Sequence, residues 1–274
     1  TFAGIGISYI RDLFYSPHFA DYRKYIKRGE MNMQEWFAKL ANDFAQTFIT
    51  KDRWQLFAKG FTVTIRVAIL ALLMGIAIGV LVAIVRTKHD SRKKNAHGFG
   101  NVILNILNAI CQVYLTIIRG TPMMVQLMIM YFVVFSSSRH EVAVATLAFG
   151  INSGAYVAEI VRGGIMSVDA GQMEAGRSLG MNYTQTMRHI IIPQAIKNIL
   201  PALGNEMITL LKDTSLMTVI GAKDLTKAAQ TVQAVTYQAF MPYISIAVIY
   251  LVCVIALSKL LALIERRMRN SDRR

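Results

Sequence analysis

The chain has 274 residues, of which 54% are hydrophobic and only 17% are charged, whereas about a quarter of the residues of a soluble globular domain are charged. A net charge of +14 would suggest a nucleic-acid partner in a soluble protein. In a membrane protein the same excess is typical of basic cytoplasmic loops, and this is the interpretation we adopt. The two cysteines, Cys111 and Cys253, lie in apolar runs and predict neither a disulfide nor a metal site.

Residues 1–54 are predicted to form an amino-terminal extension. From Met33 onwards the apolar side chains fall on one helical face: Trp36, Phe37, Leu40, Phe44 and Phe48. This spacing predicts an amphipathic helix on the outer membrane surface. Two interpretations of the first residues stay open: translation begins at Met31 or Met33, or the extension is a genuine part of a longer chain.

The first predicted membrane span, 67–85, contains 19 residues without a charge, enough to cross the roughly 30 Å hydrocarbon layer. Basic residues follow it: Arg86, Lys88, Arg92, Lys93 and Lys94. The positive-inside bias therefore places this loop in the cytoplasm and the amino end outside. The arginine-rich tail, 266–274, is predicted to be cytoplasmic too, so that the number of spans is odd.

The next apolar block, 101–138, is too long for one span, since a single helix over it would measure about 57 Å. Its first half carries a polar stripe: Asn101, Asn105, Asn108, Gln112, Thr116 and Arg119. Pro122 disfavours helical geometry at Thr121. We therefore predict an interfacial helix over 101–118 and a second span over about 120–138.

Three further spans are predicted, at 142–161, 195–220 and 242–264. Charged residues interrupt the segment 195–220, and it is assigned as a span because the odd count requires it to cross. The sequence thus predicts an all-α membrane protein of about five transmembrane helices, with the amino end outside and the carboxyl end cytoplasmic. The transmembrane domain is expected over 55–265.

A long cytoplasmic segment, 162–192, separates the third and fourth predicted spans. Two pairs with capping-box spacing predict the starts of two short helices: Asp169 with Gln172, and Asn182 with Gln185. Gly180 is predicted to end the first helix in a left-handed conformation, and Pro193 to limit the second. Two short helices at a bend suit a groove on a partner protein, but cytoplasmic helical loops are common and the pattern alone does not decide.

The same segment resembles the EAA-loop signature of ABC importer permeases: EAA, three residues, G, nine residues, I, one residue, LP. It is matched by Glu174-Ala175-Gly176, Gly180, Ile190 and Ile192-Pro193, with glycine for the third alanine and isoleucine for leucine. Other stretches resemble the polar amino-acid permeases of the histidine/glutamine/arginine type: Arg119-Gly120-Thr121-Pro122, 153–165, 171–175 and 200–216. The resemblance covers about residues 55–265 and implies the type I ABC importer permease fold.

This resemblance implies a permease subunit for polar amino acids, multi-pass in the bacterial inner (cytoplasmic) membrane, and not an enzyme. In that family the EAA helix docks into a separate ATPase, and the corresponding residues here are Glu174, Ala175, Gly176 and Gly180. We refer to 162–192 as the coupling loop. The sequence contains no Gly-Lys dipeptide and hence no phosphate-binding G-x-x-x-x-G-K-[ST] loop, so we expect no cofactor in this chain and ATP bound by a dimer of ATPase subunits.

Two more partners are implied by the resemblance: an extracytoplasmic amino-acid-binding protein and a second permease, either an identical copy or a paralogue. The lipid bilayer surrounds the assembly, and no nucleic-acid partner is expected. The alternative function is an ion-coupled secondary transporter of small polar solutes. Such transporters are often built from inverted repeats, which we do not find here, and they have no use for a coupling loop.

Polar residues inside the predicted spans mark a candidate substrate route, because polar and charged groups are costly in a membrane. The candidates are Arg119, Thr121, Gln126, Asn152, Ser153, Tyr156 and Glu159. Arg119 and Glu159 either cradle the charged ends of an amino acid or form an ion pair that braces two helices. A second polar cluster, 212–215, is either a gate facing the binding protein or a satisfied helix end.

Overall fold

The computed structural model describes residues 33–90 and 99–271, and all regular structure within these ranges is helical. The α-helices are α1 Met33–Phe44, α2 Trp54–Asp90, α3 Phe99–Gly120, α4 Met123–Ile129, α5 Glu141–Met166, α6 Ala170–Ser178, α7 Tyr183–Thr186, α8 Ile192–Asp213, α9 Leu225–Thr236 and α10 Phe240–Ser271. Wider π-helical turns occupy Ala45–Ile49, Met130–Val134 and Met187–Ile191, and tighter 3₁₀ turns occupy Thr50–Asp52 and Thr214–Ile220. The all-α prediction is confirmed.

Four helices of the described ranges are long and apolar enough to cross a membrane: α2, α3, α5 and α10 as far as Met268. Three of them contain the predicted spans 67–85, 142–161 and 242–264. The helix that holds the predicted span 195–220 is α8, which begins earlier, ends at Asp213 and contains Pro201. It is less apolar than the four long helices because charged side chains interrupt it.

The structure divides the apolar block 101–138 differently from the prediction. The predicted interfacial segment lies in α3, which has 22 residues and is itself one of the four long apolar helices. The predicted second span is reduced to α4 and its π-helical turn, of 7 and 5 residues, or about 18 Å. The cause is the break at Pro122, where the backbone is extended (φ −64°, ψ 136°). The number of five crossings therefore stays a prediction.

The contacts of α4 show that it runs against α5. Before the break, Arg119 lies beside Glu159; after it, the Gln126 side chain bonds that of Asn152. Further along, Leu127 is fully buried in a core with Ala148 of α5. Each step forward along this segment is a step backward along α5, so the two are antiparallel.

Helices α2 and α5 pack closely through glycines. A Cβ atom on Gly75 would lie 2.7 Å from Ser153 Oγ, and one on Gly79 would lie 2.6 Å from Val157 Cβ. These distances leave no room for a side chain, so the two helices approach as closely as small residues allow. Both residue pairs advance by four, so α2 and α5 are parallel and begin on the same side of the bundle.

The main core lies where α2, α4, α5 and α8 meet the 3₁₀ turn that follows α8. Its buried side chains are Val67, Ala68, Ala71, Leu127, Ala145, Ala148, Phe149, Leu210, Leu211, Met217, Ile220 and Ala222. A second cluster packs α9 between the beginning of α2 and α10: Phe57, Leu225, Ala228, Ala229, Val232 and Ile246. Fully buried Asp224 begins α9, and its carboxylate accepts from the backbone nitrogens of Thr226 and Lys227.

The predicted amphipathic helix is present as α1, which has no buried residue. Trp36, Phe37 and Phe44 are each about half exposed, whereas Phe48 packs on Phe57 with ring centroids 4.9 Å apart. The exposed aromatic side chains suit a membrane interface, and that role stays a prediction. Residues 1–32, with the proposed start Met31, lie outside the described residues, as do the basic side chains at 91–98.

Candidate functional site

The first short helix of the coupling loop, α6, is held by caps at both ends. Asp169 precedes it, and its side chain accepts a hydrogen bond from Gly171 N at 2.6 Å. At the other end Met181 N donates to Gly176 O at 3.1 Å and Gly180 N donates to Arg177 O at 3.0 Å. This pair of bonds is the Schellman motif. Gly180 has φ 82°, which confirms the predicted left-handed end.

The second short helix, α7, begins at a complete capping box. The Asn182 side chain accepts from Gln185 N, and the Gln185 side chain accepts from Asn182 N, both at 2.9 Å. The predicted start is therefore confirmed. The predicted end is wrong: Pro193 lies in the first turn of α8, and the backbone stays helical from α7 through the π-helical turn. The π-helical turn before Pro193 accommodates the proline, which has no N–H to donate.

Helices α6 and α7 touch at Gly176. This glycine is buried, and a Cβ atom there would lie 2.6 Å from Thr186 Cγ2 and 2.9 Å from Thr186 Oγ1. Thr186 is itself fully buried and donates from its hydroxyl to Asn182 O at 3.1 Å. The glycine that departs from the EAA pattern is thus the residue that lets the two short helices approach.

One side of the coupling loop is exposed, and the opposite side is held against the bundle by a hydrogen bond. Glu174, Ala175 and Gly180 are exposed, and Glu174 forms no ion pair with any residue of the described ranges. On the inner side, Asn198 Nδ2 donates to Ser167 Oγ at 2.8 Å, which ties the beginning of α8 to the end of α5. A protruding carboxylate on a rigid, capped helix is a geometry suited to a partner protein.

Six of the seven predicted route residues form two groups, and the first group surrounds the break at Pro122. Gln126 Nε2 donates to Ile118 O at 2.7 Å and to Thr121 Oγ1 at 2.8 Å. Its Oε1 accepts from Asn152 Nδ2 at 3.0 Å. Gln126 thus pairs the carbonyl group of Ile118, which Pro122 leaves free because it has no N–H.

The second group surrounds Glu159. Its Oε1 is 3.6 Å from Arg119 Nη1, and its Oε2 is 3.4 Å from Arg162 Nη2. Arg119 also lies over the Tyr156 ring, with Cζ 5.8 Å from the centroid. The pairing of Arg119 with Glu159 is therefore present, but the carboxylate is shared between two guanidinium groups. All three charged side chains are partly exposed.

Ser153 belongs to neither group. It is fully buried and donates to Glu206 Oε1 of α8 at 2.7 Å. Glu206 and Arg162 are the functional candidates that the predicted route lacked. A carboxylate within a predicted span is a signal for Glu206. The three-residue spacing of Glu159 and Arg162 on one helix is a signal for their ion pair. In the cluster 212–215, Thr214 Oγ1 donates to Leu211 O at 2.7 Å, as in a satisfied helix end.

Residues 98–270 match the family model described as a binding-protein-dependent transport system inner membrane component. The glutamine transport system permease protein GlnP of Escherichia coli (strain K12) is 38% identical over 218 residues, which are 78% of this chain and 93% of that protein. A putative glutamine transport system permease protein GlnP of Rickettsia typhi (strain ATCC VR-144 / Wilmington) is 37% identical over 213 residues, covering 77% and 91% of the two chains.

Two solved structures extend the comparison. The crystal structure of an amino acid ABC transporter with histidines has a chain 42% identical to this one, with a TM-score of 0.71 over 80% of this chain and 98% of that chain. A chain of the MetNI methionine ABC transporter in an inward-facing conformation is 19% identical, with a TM-score of 0.65 over 78% and 96%. The second likeness concerns the fold alone.

Proposed function

Because the chain belongs to the family of binding-protein-dependent transport system inner membrane components, we propose that it is the permease subunit of an ATP-driven importer of polar amino acids in the bacterial inner membrane. Its proposed partners are a dimer of ATPase subunits, an extracytoplasmic binding protein and a second permease. The chain itself provides the passage and is not an enzyme.

The observation that carries the proposal is the coupling loop. Helix α6 is capped at both ends and α7 begins at a capping box. The two helices pack on each other at Gly176, and α6 exposes Glu174 and Ala175. A loop that served only as a connection would need none of this order. An ATPase that seats α6 could move α8, because α6 packs on α7 at Gly176 and the helical backbone is unbroken from α7 to α8.

The substrate class rests on chemistry and on similarity together. Arg119 and Glu159 offer one positive and one negative group near a break in the helical backbone, which suits the two ends of a zwitterion. Two of the similar proteins are described as glutamine permeases, and a similar structure is described with histidines. We therefore propose a polar amino acid, with glutamine as the first candidate.

The test is uptake by vesicles that contain the purified permease and ATPase, with binding protein outside and ATP inside. Labelled L-glutamine, L-histidine and L-arginine are offered singly. We expect uptake of at least one of them that depends on both ATP and binding protein. Uptake driven by an ion gradient without ATP would contradict the proposal, as would the absence of uptake of all three.

A further inference from the structure

The outer part of α2 carries a basic stripe, Lys59 and Arg66, on its exposed face. The two residues are seven apart, which is about two helical turns, so they lie on the same side of the helix. Both are exposed. On the other side of α2, Phe57, Gly60 and Thr64 are buried. The basic stripe belongs neither to the coupling loop nor to the predicted substrate route.

No acidic side chain neutralises the basic stripe. The segment 53–89 contains neither aspartate nor glutamate. Lys59 and Arg66 also form no ion pair with any residue in the part of the chain that the structure describes. The exposed face of α2 therefore presents two positive charges without a partner of opposite sign.

Beyond the basic stripe, the same face of α2 is apolar. Ile69, Leu70 and Leu73 are between 44% and 58% exposed, and Leu73 continues the line of the stripe, seven residues after Arg66. Helix α2 is one of the helices long and apolar enough to cross a membrane. An exposed apolar face on such a helix suits contact with lipid acyl chains. The basic stripe therefore borders a surface that faces lipid.

The position of Arg66 along α2 places the basic stripe at the level of the lipid headgroups. Arg66 immediately precedes the charge-free segment 67–85, which is long enough to fill the roughly 30 Å hydrocarbon layer. Side chains of a helix incline towards its amino end. The guanidinium group of Arg66 therefore extends away from the acyl chains and towards the headgroups, as basic side chains at the end of a span do. Lys59 lies about 10 Å further out along the helix axis.

We propose that the basic stripe binds the phosphate group of an anionic phospholipid in the outer leaflet, such as phosphatidylglycerol. A guanidinium group binds phosphate oxygens in charge-assisted, often bidentate hydrogen bonds, and basic side chains at a membrane surface attract anionic lipids. A zwitterionic phospholipid has the same phosphate, but its own cationic group cancels the charge that Lys59 attracts. The site therefore prefers anionic lipids. This inference depends on the membrane crossing of α2 and not on the substrate that the chain transports.

The experiment measures lipid contacts beside the basic stripe by tryptophan quenching. The full chain carries one tryptophan, introduced as Leu73→Trp, after its two native ones, Trp36 and Trp54, are replaced by phenylalanine. It is reconstituted in mixtures of phosphatidylglycerol and phosphatidylcholine, and bromine atoms on the acyl chains of either lipid quench a tryptophan that they touch. We expect phosphatidylglycerol to bind there several-fold more strongly than phosphatidylcholine. The same reporter placed as Leu251→Trp on α10, where leucine is also 58% exposed, should show no preference.

The double variant Lys59→Gln/Arg66→Gln should abolish the preference at the Leu73→Trp reporter. The matched control is Lys51→Gln/Lys223→Gln, which removes two exposed lysines in the turns before α2 and before α9 and should keep the preference. Equal binding of the two lipids in the unmodified stripe would overturn the proposal. So would a preference that persists in Lys59→Gln/Arg66→Gln, or one that both double variants lose equally.

A last comparison separates a lipid phosphate from a free one. The Leu73→Trp protein is measured in potassium phosphate and in potassium chloride of equal ionic strength, so that both salts screen the basic stripe equally. We expect the same preference for phosphatidylglycerol in the two salts. A preference that inorganic phosphate removes and chloride does not would identify a site for free anions and would overturn the assignment to a lipid.

Discussion

Gly180 is the residue of the coupling loop with the most demanding backbone. Its φ of 82° lies in the left-handed region, where a residue with a Cβ atom is disfavoured by about 1–2 kcal/mol. We expect Gly180→Val to unwind the end of α6 while the protein still inserts in the membrane. ATPase association and transport should both be lost, measured by co-purification of the two subunits and by uptake.

The matched control is Gly100→Val, at a glycine of α3 whose added Cβ would meet no described atom within 4 Å. That variant should transport normally. If loaded binding protein still stimulated ATP hydrolysis fully in Gly180→Val, the coupling role of this bend would have to be given up.

Gly176 makes a second prediction about the loop. Gly176→Ala would force a Cβ atom against Thr186, and such overpacking typically costs about 1–3 kcal/mol. We expect Gly176→Ala to increase the ATP hydrolysed per molecule transported. The double variant Gly176→Ala/Thr186→Ala removes Cγ2 and Oγ1 of Thr186 and should reverse most of this increase. The measurement is the number of ATP molecules hydrolysed per molecule transported. A double variant no better than Gly176→Ala alone would show that the Gly176–Thr186 contact is not the constraint.

At the residue scale, local sequence signals were sufficient for the caps but not for the contacts. Asp169, Gly180 and Asn182 could be assigned from their neighbours in sequence, because a cap is satisfied within a few residues. The contact between Gly176 and Thr186 could not, because it depends on how two helices approach. By contrast, the pairing of Glu159 with Arg162 is local, because residues three apart on one helix are neighbours.

At the scale of helices, the ion pair between Arg119 of α3 and Glu159 of α5 leaves two interpretations of Glu159, a contact with substrate or a brace between the helices. Its ion pairs are partly exposed and 3.4–3.6 Å long, and pairs of this kind contribute only about 0–1 kcal/mol. Glu159→Gln should therefore lower the midpoint of thermal unfolding in detergent by only a few degrees. If the carboxylate contacts substrate, transport should fall much further, and most for cationic amino acids.

The comparison variant is Asp90→Asn, which removes a more distant partner of Arg162, at 4.0 Å, without touching Glu159. It should leave the ratio of cationic to neutral uptake unchanged. A clear loss of stability in Glu159→Gln, with all substrates transported in unchanged proportion, would identify the residue as a brace between the helices.

Two prolines illustrate why element boundaries could be predicted only in part. Pro122 breaks the helix as expected, because the backbone there is extended and Gln126 pairs a freed carbonyl. Pro193 has the same local signal but lies within a continuous helix, because the preceding π-helical turn accommodates it. Which outcome a proline has depends on the tertiary partners available to the backbone.

For the whole molecule, the orientation in the membrane is open to a direct test. In a protein whose Cys111 and Cys253 are replaced by alanine, single cysteines at Ser178, Ser137 and Gly120 would be labelled with a membrane-impermeant maleimide. The predicted topology places Ser178 of the coupling loop inside and Ser137, in the turn before α5, outside. Gly120 should be labelled from the inside, because adjacent Arg119 lies level with Glu159 near the inner end of α5.

Gly120 is the informative position. Labelling from the outside would make α3 a full crossing, as its length and apolarity allow, and would contradict the predicted interfacial placement. Labelling of Ser178 from the outside would overturn the whole orientation. A cysteine at Ser137 is the reference for an outside position, because it should be labelled by reagent that stays outside the vesicle.

The unbroken backbone from Tyr183 to Asp213 makes the second half of the coupling loop and α8 a lever with a short and a long arm. The short arm is α7, and the long arm carries Glu206 about 22 Å beyond the π-helical turn. A tilt of about 10° at that turn displaces a group at this distance by roughly 4 Å. This displacement exceeds the 2.7 Å bond between Ser153 Oγ and Glu206 Oε1. A small rotation imposed on the cytoplasmic side is therefore amplified at the centre of the bundle, where it is large enough to exchange one hydrogen-bond partner for another.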